Sequence, residues 1–252
     1  MTNNPLTGAH CLMRGFNLIL RPGLRRYVLV PLLVNILIFS LLAWFGASQF
    51  QELIDTLLPE TSWFSFLRWL LWPLFALSML LVTVYGFTVL ANLIAAPFNS
   101  QLAAQIELIL SGSTSTAAST NTLKHAIQAF RSELGKLGYF LIRAVPLLIL
   151  FIIPGINILA PFLWLLFSAW FLALEYADYP MANNSLSFRE QHSRLKATRL
   201  TSLGFGGSIT LLMMIPLLNF LAMPAAVAGA TVYWHEHLSK TNQGQQRHIR
   251  KC

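Results

Sequence analysis

Four stretches of this chain carry no ionised residue: between Arg26 and Glu52, Arg68 and Glu107, Arg143 and Glu175, and Arg199 and Glu236, counting histidine as neutral. A helix needs about 20 apolar residues to cross the hydrocarbon core of a bilayer, and every one of these stretches is that long. A soluble fold has no use for such runs, because the outward face of each of its helices must meet water. The sequence therefore defines an all-α integral membrane protein. Composition agrees, since 56% of the 252 residues are hydrophobic and only 10% are charged, against about 25% charged in an ordinary soluble domain.

The formal net charge of +8 would raise nucleic-acid binding in a soluble protein. Here the basic residues flank the apolar segments, where they set topology and meet membrane lipids with anionic head groups. No basic and aromatic residues interleave on a soluble module, so nucleic acid is not an expected partner. Residues 1–26 lack a compact apolar core with a small-residue cleavage site, and the chain is expected to keep this segment. Cys11 and Cys252 stand near opposite ends in polar, basic surroundings, without metal-like spacing, and read as incidental thiols.

Lysine and arginine are distributed unevenly: four in 1–26, one in 48–68, and four each in 107–143, 175–199 and 235–252. The poor loop also holds Glu52, Asp55 and Glu60, so the positive-inside rule puts it outside and the other four inside. The first two windows then span, beginning at Tyr27 and near Trp69, while the last two return to the side they entered. That is a multi-pass protein with two long transmembrane helices and two re-entrant, hemipenetrating hairpins.

Sequence breaks support the hairpins. Ala144 to Ile153 offers ten residues, about 15 Å of helix, before Pro154-Gly155-Ile156-Asn157 supplies turn chemistry. Ile215-Pro216-Leu217-Leu218-Asn219-Phe220-Leu221-Ala222 repeats Ile153-Pro154-Gly155-Ile156-Asn157-Ile158-Leu159-Ala160 as I-P-x-x-N-x-L-A, 62 residues on. Two kinked single spans are the alternative, but each would carry the following basic loop to the acidic side. Irregular backbone at membrane depth needs protein or a water-filled cavity around it, so Pro154, Asn157, Pro216 and Asn219 should not face lipid.

Interfacial amphipathic helices complete the expected fold. One is outer, with Phe50, Leu53, Ile54, Leu57 and Leu58 on its apolar face. A second extends the second span beyond a kink near Pro97, placing Phe98, Leu102, Ile106 and Ile109 together. A third puts Ile127, Phe130, Leu134, Leu137 and Leu141 on one face and Lys124, Arg131 and Lys136 elsewhere. Residues 111–122 read as a Ser/Thr/Ala-rich loop. One membrane domain is expected over 1–238, followed by a disordered polar tail over 239–252.

The most informative short element is Arg21-Pro22-Gly23-Leu24-Arg25-Arg26, just before the first span. Proline and glycine mark a helix start, which sets Arg25 and Arg26 at the positive end of the helix dipole, unfavourable for a cation. Backbone N–H groups of Leu24, Arg25 and Arg26 with two guanidinium forks suit a tetrahedral oxyanion; topology-setting arginines that meet a lipid phosphate are the alternative.

Glu107, where the second helix leaves its uncharged run, could pair with a base or line an entrance, and Asn99, Asn157 and Asn219 could line a pathway. Glu175 and Asp178 could take part in proton coupling. His235 and His237 point about 200° apart on an α-helix and cannot share an ion, so no metal is expected. No G-x-S-x-G, H-E-x-x-H or phosphate-binding glycine loop occurs, so neither enzyme activity nor a cofactor is expected.

Taken together, residues 15–26 (Gly-Phe-Asn-Leu-Ile-Leu-Arg-Pro-Gly-Leu-Arg-Arg), Ala95-Ala96-Pro97-Phe98-Asn99, the two proline–asparagine hairpins and Glu175-Tyr176-Ala177-Asp178-Tyr179-Pro180 resemble the bacterial sulfate permease CysZ family. The resemblance runs from Leu12 to about Leu238. It implies two long helices, two partly penetrating hairpins and a homo-oligomer, with a hexamer expected. It also implies sulfate uptake across the inner membrane to supply cysteine synthesis. The family's sulfate-binding G-L-R motif falls on Gly23, Leu24 and Arg25, with Arg26 beside it. A non-transporting scaffold or regulator whose basic patch holds lipids is the alternative function.

Overall fold

The computed structural model describes residues 3–57, 66–112 and 122–239. Every regular element among them is helical, as the uncharged windows require. The chain forms two compact units, residues 1–25 with 99–252, and residues 26–98. The loop expected over 111–122 lies mostly outside the described residues, as does the tail after Ser239.

Residues 26–98 hold α2 (Arg26–Leu57) and the first part of α3 (Phe66–Ser111). At 1.5 Å per residue, the 32 residues of α2 reach about 48 Å, and bilayer hydrocarbon is about 30 Å thick. The expected outer interfacial helix is the continuation of α2, which runs on unbroken through Ser48 and Gln49 to Leu57. Phe50 stacks on Phe75 with centroids 3.8 Å apart and meets Trp72 edge-on at 5.1 Å, which clasps α2 to α3. Leu58 lies outside the described residues. Pro73 and Pro97 lie inside α3 without ending it.

The larger unit contains α1 (Pro5–Ile19), the end of α3, α4 (Thr122–Ile152), α5 (Ala160–Asn183), α6 (Phe188–Ala197), α7 (Arg199–Met213) and α8 (Pro216–Tyr233), followed by a π-helical turn, Trp234–Leu238. Its core is α1 laid against α7 and α8, with α5 against α7. Glycine makes those contacts close: a Cβ on Gly15 would come 2.5 Å from the Cα of Gly229 and 2.7 Å from the Ala225 carbonyl oxygen. Small residues at membrane helix interfaces allow this backbone approach. Asn4 caps α1, its side chain accepting from the Leu6 N–H at 3.0 Å. Asn3 caps α7 from outside, accepting from the N–H groups of Leu200 and Thr201 at 2.9 and 3.2 Å.

The two proline–asparagine breaks are hairpin tips of different build. In both, the asparagine N–H closes a turn on the isoleucine before proline: Asn157 to Ile153 at 3.0 Å and Asn219 to Ile215 at 2.9 Å. In the second tip that turn propagates at once, with Pro216 the first residue of α8. In the first, Gly155 takes φ +85° and the turn stalls. Leu159 and Ala160 then bond three residues back before α5 begins. The glycine at the third position of the repeat, where the second copy has Leu217, accounts for the difference.

Three sequence expectations change. The ten-residue arm before Pro154 is the end of the 31-residue α4, because the amphipathic segment and the apolar arm share one continuous helix. On α4, Leu134, Leu137 and Leu141 are about half exposed, as a lipid-facing stripe would be, but Lys136, expected with the solvated bases, has its side chain 4% exposed. On the end of α3, Leu102 and Ile106 are buried with Ala103, but Ile109 faces outward.

Candidate functional site

Residues 20–25 form the turn between α1 and α2. Gly23 has φ +93° and no atom within 4 Å of the position of a Cβ, so backbone conformation and not space demands glycine. Gly23→Ala should cost about 1 kcal/mol from the left-handed conformation, seen as a small fall in melting temperature in detergent. Leu24 is buried, and its N–H is committed to the Arg21 carbonyl at 3.2 Å. The donor set expected at Leu24, Arg25 and Arg26 therefore loses Leu24.

Arg25 is exposed, and its Nε donates to the Leu20 carbonyl at 2.6 Å, at the C-cap of α1. Part of the charge expected to oppose the α2 dipole is thus answered by the negative end of α1. Among the described residues the terminal N–H groups of the fork have no hydrogen-bond partner. Arg26 opens α2, lies over the Tyr27 ring at 4.9 Å and donates to its hydroxyl at 3.0 Å.

Glu107 is 8% exposed and paired, but not with a base: both its oxygens accept from Asn184 Nδ2, at 3.1 and 3.2 Å, and Oε1 also accepts from Trp234 Nε1 at 3.3 Å. Three elements meet on this carboxylate. Asn99 is buried, and among the described residues its Nδ2 has no acceptor. Asn157 and Asn219 are exposed at their tips.

Asn35, Gln191 and the pairing of Lys136 with the acids of α5 escaped the sequence reading. Asn35 in α2 is buried with Oδ1 unpartnered among the described residues; a lone asparagine inside a span was the available signal. Lys136 Nζ lies 2.7 Å from Glu133, 2.8 Å from Asp178 and 3.5 Å from Glu175. Gln191 donates to Asp178 at 2.6 Å. Burial pulls the Lys136 pKa down, but Asp178 and Glu175 outweigh it and hold the group above its ordinary value.

Cys11, Glu236 and His237 converge, with possible ligand atoms within 4.8 Å of one another, through the π-helical turn. Cys11 is buried, because α1 turns it towards the core, and it keeps polar neighbours there in Glu236 and His237. Burial, aided by Glu236, pushes its thiol up to about 12, which disfavours the thiolate that a metal takes. Arg14 already pairs with Glu236.

Large apolar side chains stay uncovered along the helices: Leu33, Leu37, Leu41 and Trp44 on α2, Leu148 and Ile152 on α4, Phe162 and Leu166 on α5. In water such a surface would drive aggregation. Helices Arg26–Thr56 and Ala160–Asn183 are long and apolar enough to cross a membrane. The class is therefore an α-helical membrane protein.

The profile of the family described as sulfate transporter CysZ/Etoposide-induced protein 2.4 matches residues 11–224. The sulfate transporter CysZ of Pseudomonas aeruginosa strain LESB58 is 42% identical over 232 residues, covering 91% of this chain and 94% of the relative. That of Pseudomonas fluorescens strain Pf0-1 is 42% identical over 245 residues, covering 96% and 98%. The chain belongs to the CysZ family.

Proposed function

We propose that this protein carries sulfate across the bacterial inner membrane, supplying sulfur for cysteine synthesis, and captures the anion at the Gly23–Arg26 turn, with Arg25 and Arg26 as the donors. The observation that carries the reading is the turn itself. A positive-φ glycine delivers two consecutive arginines to the start of α2, and the outer N–H groups of Arg25 remain available. Helix-start N–H groups and guanidinium forks are the donors a tetrahedral dianion needs. The relatives are named sulfate transporters, which favours sulfate over other oxyanions.

The hairpins are read as re-entrant. Lys136 and Asp178 pair at one level of α4 and α5, and from there each arm runs 16 to 18 residues to its tip at Ile152 or Ala160. That is about 25 Å, short of a 30 Å core flanked by head groups. Pro154, Asn157 and Asn219 are exposed in the single chain, and at membrane depth their polar groups require cover. A homo-oligomer that brings the tips together supplies it and lines the path with asparagine.

Sulfate flux into liposomes holding only this protein tests the reading. Arg25→Ala with Arg26→Ala should lower flux at limiting sulfate about tenfold, the scale of one lost charge-assisted hydrogen bond. Unchanged flux and affinity would remove the site. Absence of flux from the wild-type protein would overturn transport and favour a lipid-holding scaffold.

A further inference from the structure

A cavity of about 500 Å³ opens between α4, α5 and α7, lined by Ile142, Pro146, Leu147, Leu163, Leu166 and neighbouring apolar residues, with Arg143 the one charged group on its wall. Trp170 lies at the Arg143 end, and its Nε1, shielded from solvent, has no acceptor among the described residues. From that end the lining residues step towards the tip, Pro146 and Leu147 along α4 and Leu166 and Leu163 along α5. At 1.5 Å per residue this is a slot of about 10 Å, apolar along its length and cationic at one end.

The cationic end extends beyond Arg143. Its guanidinium lies 3.7 Å over the Tyr139 ring, which is 5.0 Å from the His192 ring; His192 in turn is 5.9 Å from Trp170. Lys196 stands one turn beyond His192 on α6, and Arg199 opens α7; burial, then Arg143, Lys196 and Arg199, hold the His192 pKa below its ordinary value. Among the described residues none of the three has an ion-pair partner. A slot with apolar walls, Arg143 at its mouth and two further bases on the neighbouring α6 and α7 matches a molecule with an acyl chain and an anionic head. Basic pockets between membrane helices are the usual seats of such head groups.

We propose that the α4–α5–α7 groove is a binding site for an anionic phospholipid, its phosphate held by Arg143, Lys196 and Arg199 and one acyl chain lying along the hairpin towards its tip. The site is independent of the Gly23–Arg26 turn. It commits to a lipid, because a free anion would have no use for the apolar slot.

The test is native mass spectrometry of the full-length protein in detergent, titrated with dioleoyl phosphatidylglycerol or dioleoyl phosphatidylcholine. The wild type should retain phosphatidylglycerol about tenfold better. Arg143→Ala with Lys196→Ala and Arg199→Ala should bring that preference close to unity. Leu166→Trp, which fills the slot from its exposed side, should lower retention of phosphatidylglycerol with the bases intact. Equal binding of the two lipids, or unchanged preference in both variants, overturns the proposal. So does displacement of the lipid by equimolar inorganic sulfate, which would mark a free-anion site. Efficient disulfide formation between two copies carrying Leu166→Cys, in bilayers rich in phosphatidylglycerol, would show that a second chain covers the groove instead.

Discussion

Lys136→Met should destabilise the larger unit by about 3 kcal/mol, the lower end of what removal of one partner from a buried ion pair costs. The lower end applies because the carboxylates differ in exposure: the side chain of Asp178 is 15% exposed, whereas those of Glu175 and Glu133 are 40% and 63% exposed. Methionine keeps the volume and removes the charge, so among the described residues Asp178 is left with Gln191 alone as donor. Lys136→Met with Asp178→Leu should recover most of the loss, because the buried charge goes with its partner. Thermal unfolding in detergent, followed by loss of the monodisperse peak, measures both. The lysine pKa is raised on folding, so its contribution is fully present below the ordinary lysine value and fades only as pH rises through the folded one. The difference between variant and wild type should stay constant across neutral pH. If the single variant melts with the wild type, Lys136 does not hold α4 to α5.

The burial of Lys136 marks the limit of what the periodicity of α4 carries. Periodicity identified an apolar stripe at Leu134, Leu137 and Leu141, and that stripe exists. It does not say whether lipid or protein meets it, because hydrocarbon and a protein core accept the same side chains. What sets the rotation is the acid supplied by α5, 42 residues away, and pairing at that range leaves no local signal. The tips were legible for the opposite reason: proline, glycine and asparagine act through their own backbone. The Gly23 turn was legible in the same way, while the use of Arg25 Nε and the Leu24 N–H depended on how α1 ends. The role of α1 was missed altogether. Gly8 and Gly15 are where α7 and α8 approach it, and no local pattern marks that.

Gly206→Ala and Gly207→Ala should shift stability in opposite directions, although the two residues are neighbours on α7. A Cβ on Gly206 would fall 2.6 Å from the Ala169 carbonyl carbon and 3.1 Å from the Ala173 N. Both are backbone atoms of α5, so no side chain can swing aside and the helices must separate. Overpacking of this kind costs about 1–3 kcal/mol, and the rigidity of the obstacle puts Gly206→Ala near the top of that range. A Cβ on Gly207 meets nothing within 4 Å. There only helix propensity acts, and alanine should gain about 0.5–1 kcal/mol. Thermal unfolding of the two variants side by side separates close packing from propensity. The Gly206 variant should also weaken the α5–α7 wall of the groove, and so retain less phosphatidylglycerol. A Gly206 variant as stable as that of Gly207 would mean that α5 and α7 are not packed backbone to backbone at this point.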